Sequence, residues 1–310
     1  MSRHLEIPGG FAAQAALGPT WGLWFDRLPG LAGDVLADWE LSLDGAVMNG
    51  FTSLVLPVRT ADDQPAILKL TYDGDDESLH EALALQHWGG RGTVRLLRAD
   101  PRRRALLLER LHPNDLNDLV DLEACEVVAS LYQHLHAPAL PQLSTVASYV
   151  DSWLDSLAAL DRDAPVPRQL VDQALSLGRT FVQDPASTGR IIHGDLHYDN
   201  VLAADRAPWL VIDPKPMSGD PHYELAPMLW NRWDELVASH DVRGGLRRRF
   251  HALVDGAGLD EKRARDWVIV RSVINANWSV EDAERAERPL DDDERSWITR
   301  CVTTAKAVQD

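Results

Sequence analysis

The sequence predicts an α+β fold in two lobes, and three observations lead there. The chain has 310 residues, 45% of them hydrophobic, which is enough to bury a large core and long enough for two lobes. From residue 39 to about 109, short apolar runs separated by turn residues read mainly as strands. After Leu111 the texture turns helical and stays so for most of the remainder.

The elements follow in chain order. The first forty residues are rich in Ala, Leu and Trp and are broken by Pro8, Gly18-Pro19 and Pro29-Gly30, so short helices are expected there. Residues 39–43, 53–58 and 66–70 are strand-like, with Gly45, Asn49-Gly50 and Asp62-Asp63 between them as turns, which predicts an antiparallel meander. Residues 77–88 carry Leu79, Leu83 and Leu85 near helical spacing. Two further strands are expected at 94–97 and 105–109, around the turn at Asp100-Pro101. Helical stretches follow at 118–136, 144–160 and 167–182. The change of texture places a lobe boundary near 109–114. It gives a first lobe 1–111, with a helical extension 1–38, and a second lobe 112–310.

The densest chemistry lies in residues 191–202, where His193, Asp195, His197, Asp199 and Asn200 sit between the apolar pairs Ile191-Ile192 and Val201-Leu202. A second strand-like run, 209–212, ends on Asp213. Apolar runs flanking a polar tip predict a hairpin-like pair of buried strands presenting a loop, and loops on rigid scaffolds are where functional groups sit. Asp195, Asn200 and Asp213 have the chemistry to orient a hydroxyl and hold a hard cation against phosphate, which points to phosphoryl transfer. Two other readings exist: a plain turn with Asp195 capping a helix, and a zinc site from His193, His197 and Asp199. The zinc reading needs a helix to bring positions i and i+4 to one face, and Gly194 with its strand-like surroundings argues against one.

These residues also carry a family resemblance. His193-x-Asp195-x-x-x-x-Asn200 resembles the catalytic loop of the protein-kinase-like fold, and the fuller His193-Gly194-Asp195-Leu196-His197 resembles the aminoglycoside phosphotransferases and related small-molecule kinases. Protein kinases usually show Arg where Gly194 stands and Phe-Gly after the metal-binding Asp. Here Asp213-Pro214-Lys215-Pro216, followed by Gly219-Asp220-Pro221, is similar to the streptomycin and hydroxyurea phosphotransferase branch.

That resemblance implies a bilobal protein-kinase-like fold, with an antiparallel sheet in the first lobe and mainly helices in the second. It assigns Asp195 as the base that orients and deprotonates the acceptor hydroxyl. It makes His193 an organiser of the loop, leaves His197 near the phosphate or bracing the loop, and gives Mg2+ to Asn200 and Asp213. Lys69, at the end of an apolar strand, matches the lysine that meets the nucleotide phosphates, with Glu81 as its helix partner and Glu77 as the competing one. Gly45 and Gly50 lie in a loop that would approach phosphate oxygens, although the Gly-Lys-Ser/Thr ending of a Walker loop is absent. Glu109 and Leu111 fall at the expected interlobe hinge beside the adenine. The implied activity transfers the γ-phosphate of ATP or GTP to a hydroxyl of a streptomycin-like aminoglycoside or aminocyclitol. The alternatives are a kinase of another small metabolite (a sugar, an amino sugar or hydroxyurea) or a nucleotide-binding pseudokinase.

Composition sets bounds on partners. The formal net charge is −17 and the isoelectric point is near 5.0, which argues against a general nucleic-acid or anionic-membrane binder and suits a cationic, polyhydroxylated substrate. Only Cys125 and Cys301 occur, so no disulfide framework is implied and a cytoplasmic location is expected. No apolar stretch approaches the ~20 residues needed to span a bilayer, and the N-terminus lacks a signal arrangement. In the second lobe Asp220, Glu224, Trp230, Asn231 and Asp234, then Trp278, Glu281 and Asp282, combine carboxylates, amides and indoles. Such groups pair with ammonium or guanidinium groups and with sugar rings, so they are the expected substrate residues.

Overall fold

The computed structural model describes residues 7–309; the first six residues of the expected helical extension and the last residue of the expected second lobe lie outside them. The chain divides into two compact units. The first runs to Pro113 and takes in Ala204–Lys215; the second comprises Asn114–Ala203 and Pro216 onward. The segment carrying Asp213 therefore belongs with the first unit, whereas the division by sequence texture had placed it in the second lobe.

The first unit opens with α1 (Gly9–Ala12) and then α2 (Pro19–Asp38). The expected short helices are instead largely one 20-residue helix, with Pro29 inside it. A proline in a helix interior costs about 3 kcal/mol. Trp24, Phe25, Leu28, Ala32 and Val35 recur at helical spacing, and their burial outweighs that local cost. Six strands follow: β1 (Ser42–Leu43), β2 (Met48–Asn49), β3 (Ser53–Arg59), β4 (Pro65–Thr71), β5 (Leu96–Asp100) and β6 (Ala105–Glu109). They form one antiparallel sheet in the order β1-β3-β4-β6-β5, with β2 also on β3. Helix α3 (Glu81–Trp88) lies between β4 and β5 in the chain. It starts four residues later than its leucine spacing predicts.

The period-2 geometry of β4 sorts its side chains. Ala66, Leu68 and Leu70 join Leu54, Leu56 and Val58 of β3 against Trp24, Leu28 and Val35 of α2 in one core. Each fully buried Leu or Val there contributes roughly 1.5–3 kcal/mol. Ile67, Lys69 and Thr71 point to the opposite face, and that face receives the first half of the site.

In the second unit come α4 (Asp121–Leu135), α5 (Val146–Ala159) and α6 (Arg168–Gln183), then β7 (Arg190–Ile192) and β8 (Val201–Ala203). The chain next returns to the first unit with β9 (Trp209–Val211), where the Val94 N–H donates to the Val211 carbonyl and the Val211 N–H to the Gly92 carbonyl. It re-enters the second unit at β10 (Met217–Gly219), followed by α7 (Leu225–Trp230), α8 (Trp233–Ala238), α9 (Val242–Ala257), α10 (Glu261–Arg285) and α11 (Asp292–Ala307). The expected hairpin of 191–192 with 201–202 does not form. Instead β7 pairs antiparallel with β10, Ile192 opposite Met217 and Arg190 opposite Gly219. Gly219 permits close packing there, because a Cβ on it would lie 2.5 Å from Ile192 Cδ1. Among the described residues no helix is long and apolar enough to cross a membrane.

Candidate active site

Lys69 Nζ lies 2.8 and 2.6 Å from the two carboxylate oxygens of Glu81 and 2.5 Å from Asp213 Oδ1. Glu81 is the first residue of α3, so the helix N-terminus adds favourable field to its charge. Lys69 and Glu81 are both buried. Burial works against the ammonium, but Asp213 and Glu81 outweigh it and hold the Lys69 pKa above its ordinary value. For Glu81 burial wins, reinforced by the neighbouring Asp213 carboxylate, and its pKa is pushed up despite Lys69. Glu81, not Glu77, is thus the partner of Lys69. Asp213 has a left-handed backbone, φ +54°, a region uncommon for non-glycine residues but one that Asp enters more readily than most.

The glycine-rich stretch 45–53 belongs to the same unit. A Cβ on Gly45 would lie 3.0 Å from Pro57 Cβ, whereas nothing stands within 4 Å at Gly50. Thr52 Oγ1 donates to Asp75 Oδ2 at 2.6 Å, which pins the end of the stretch. At the other end of the sheet, the Glu109 carboxylate accepts from Arg206 Nε and from the Arg95 N–H. The Glu109 N–H donates to the Arg95 carbonyl. Glu109 therefore braces the strand end instead of offering its N–H to a ligand, and Leu111, two residues further on, is half-buried.

The catalytic-loop residues lie in the second unit. His193 is fully buried, and its Nδ1 accepts the Asp195 N–H at 3.2 Å. Gly194 takes φ +84°, where glycine avoids the penalty of a side chain. Its peptide is gripped on both sides: Glu224 Oε1 accepts the Gly194 N–H at 2.7 Å, and Arg271 Nη2 donates to the Gly194 carbonyl. Asn200 Nδ2 donates to the Asp195 carbonyl at 2.8 Å, which ties the two ends of the loop together. The Asp195 side chain is 41% exposed. His197 Nδ1 lies 3.4 Å from Asp199 Oδ2 and its Nε2 3.9 Å from Asp195 Oδ2. The hydrogen bond from His197 holds the Asp199 carboxyl below its usual range, and Asn117 Nδ2 donates to the same residue at 2.7 Å.

Three of the expected substrate residues prove to be structural. Asp220 is buried and accepts from Trp267 Nε1 (2.7 Å), Arg263 Nε (2.5 Å) and the His222 N–H (3.1 Å), so its lone pairs are taken. Glu224 is buried between the Gly194 N–H and His136 Nε2, 3.4 Å away; it fixes the loop and cannot reach a substrate. Asn231 accepts the Tyr198 N–H at 3.3 Å and donates to the Pro227 and Met228 carbonyls. Trp230 packs edge-on against Trp297. Trp278 packs against Tyr149 and Trp153, and its buried Nε1 has no hydrogen-bond partner among the described residues. Glu281 Oε1 accepts from Asn277 at 3.2 Å. Asp282 is exposed beside Arg285, and Asp234 is exposed on α8. Arg271 escaped the sequence reading, though a cation inside the apolar run 268–274 was its signal: such a group must find buried acceptors. Lys215 and Asp75 also lacked an assigned role.

Asp213 in the first unit and Asn200 in the second each carry an oxygen donor of the hard kind that suits Mg2+, an ion that keeps water and phosphate oxygens in its shell.

A buried strand lysine bracketed by a helix glutamate and an aspartate, together with a His-x-Asp-x4-Asn loop, defines a phosphotransferase of the protein-kinase-like class. The comparisons agree. The chain matches the aminoglycoside/hydroxyurea antibiotic resistance kinases over residues 38–283, and it belongs to that family. It is 40% identical over 295 residues to the streptomycin 6-kinase of Streptomyces glaucescens, covering 93% of this chain and 95% of that one. It is 41% identical over 269 residues to the hydroxyurea phosphotransferase of Kitasatospora aureofaciens, covering 84% and 76%. Among solved structures, it resembles in fold an aminoglycoside phosphotransferase in ternary complex with ADP and hygromycin B, with a TM-score of 0.60, 17% identity and coverage of 90% and 98%. The fold is therefore bilobal and protein-kinase-like, with an antiparallel sheet followed by a mainly helical lobe.

Proposed function

We propose that this kinase transfers the γ-phosphate of ATP or GTP to a hydroxyl of a streptomycin-like aminoglycoside. The observation that carries the reading is the bracketing of Lys69 by Glu81 and Asp213 at 2.6 and 2.5 Å, the arrangement that holds nucleotide phosphates in this fold. The 40% identity to a streptomycin 6-kinase supports the acceptor. In this reading the first lobe binds nucleotide and the second supplies the catalytic loop and the acceptor site.

Lys69 grips the phosphates, and Glu81 keeps its ammonium aimed. Asp195 accepts a hydrogen bond from the acceptor hydroxyl, orients it and takes its proton as transfer proceeds. His193, Glu224 and Arg271 hold the backbone around Gly194 and Asp195 so that this carboxylate is placed before substrate arrives. His197 supports the loop through Asp199. Mg2+, held by Asn200 and Asp213, would neutralise charge on the phosphates. Trp278, Glu281 and Asp282 supply indole and carboxylate groups for a cationic acceptor.

Hydroxyurea is the second acceptor, favoured by the 41% identity to a hydroxyurea phosphotransferase. Acceptor-dependent ADP release with Mg2+, measured across streptomycin, other aminoglycosides, simple sugars and hydroxyurea, separates the two. Asp195→Ala should lower turnover about 10²- to 10⁴-fold; turnover near the wild-type rate would rule out the proposed base. Nucleotide binding without turnover on any acceptor would favour a pseudokinase.

A further inference from the structure

Lys215 sits beside the bracketed lysine and is held much more loosely. Its Nζ lies 3.5 Å from Asp213 Oδ1 and 3.7 Å from Asp75 Oδ2, whereas charge-assisted bonds settle at about 2.7–2.9 Å. Both carboxylates have closer donors. Asp213 Oδ1 has Lys69 at 2.5 Å; Asp75 Oδ2 has the Thr52 hydroxyl at 2.6 Å and the Ser78 hydroxyl at 2.9 Å. The Lys215 side chain is only 16% exposed, so its ammonium is partly desolvated without a close anion. That is a poor arrangement for a structural ion pair and a suitable one for a cation awaiting a ligand oxygen. Pro214 and Pro216 flank it and restrict its backbone before any ligand arrives. Asp75 joins this lysine to the glycine-rich stretch, because Thr52 closes that stretch and donates to the same carboxylate oxygen.

We infer that Lys215 is a second phosphate-binding cation, which engages the terminal phosphate of the nucleoside triphosphate while Lys69 serves the inner ones. Asp75 is its positioning residue and ties it to the 45–53 stretch. The inference rests on the kinase reading. It assigns a role to the lysine that stands where protein kinases carry phenylalanine-glycine chemistry after the metal-binding aspartate.

Calorimetric titration of wild type, Lys215→Ala and Lys215→Arg with ADP and with the β,γ-imido analogue of ATP tests it, with and without Mg2+. The guanine counterparts are used if those bind instead. Lys215→Ala should weaken the triphosphate analogue about 10- to 100-fold and ADP much less, at an unchanged melting temperature. Lys215→Arg should restore part of the loss. Equal analogue affinity in wild type and Lys215→Ala would overturn the inference and leave the kinase reading intact. So would equal weakening of both nucleotides with a lowered melting temperature, which would mark a structural pair. Failure of the wild-type protein to bind any nucleotide would overturn the kinase reading itself.

Discussion

Glu224→Ala should lower turnover and melting temperature together while leaving the KM for the acceptor near its wild-type value. Glu224 Oε1 accepts the Gly194 N–H at 2.7 Å inside the protein, and hydrogen bonds to charged groups contribute about 1.5–3 kcal/mol. Alanine also leaves that N–H buried without an acceptor and removes the carboxylate 3.4 Å from His136. Breaking a buried charged contact in this way costs about 3–5 kcal/mol, enough to lower the melting temperature by several degrees. Gly194 immediately precedes Asp195, so the freed peptide lets the base drift, and a displacement near 1 Å costs about 10²-fold in rate. Glu224→Gln keeps a carbonyl acceptor for Gly194 and should lose about 1 kcal/mol. Steady-state ADP release at varied acceptor, together with thermal unfolding of each variant, gives both numbers. A raised acceptor KM at unchanged melting temperature would show that Glu224 meets the substrate, and the buried-brace argument would fail.

Two further outcomes follow from the structure. Burial pushes the Cys125 thiol up to about 12 and raises Cys301 further, so neither should react with a disulfide reagent at pH 8 in the native protein; two thiols should titrate after denaturation, and rapid native labelling would contradict the burial of both. Glu294 closes the capping box of α11 with Asp291, and its hydrogen bonds with Arg288 and the Asp291 N–H depress its carboxyl to about 2. A depressed carboxyl contributes stability that is present above the ordinary value of about 4.5 and lost as pH falls toward 2, so urea midpoints between pH 5 and pH 2.5 should fall less steeply for Glu294→Gln than for wild type. Parallel curves would contradict the assignment.

What was legible in the sequence was what local pattern or motif spacing determines. The apolar run 66–68 marked a strand ending on Lys69, and the spacing from His193 to Asn200 marked the loop. What escaped was decided by distant packing. Pro29 reads locally as a breaker, but the buried face of α2 carries the helix through it. Residues 191–192 look like one arm of a hairpin, yet their partner is β10, because a three-residue strand holds too little pattern to choose a neighbour. Asp220 and Glu224 look like substrate carboxylates because sequence shows their charge and not their burial.

With Asp220, Glu224 and Asn231 hydrogen-bonded within the protein and Trp230 packed on Trp297, three of the other expected contacts, Trp278, Glu281 and Asp282, lie on α10, the helix whose Arg271 holds the Gly194 carbonyl. At 1.5 Å of rise per residue, Trp278 stands about 10 Å along the axis from Arg271. The same helix that fixes the base therefore also presents indole and carboxylate groups, in a register that helical hydrogen bonding keeps constant. In the proposed reading, an acceptor held by those groups would meet a base whose backbone is clamped to the same helix, which would couple acceptor selectivity to the placement of Asp195 through α10.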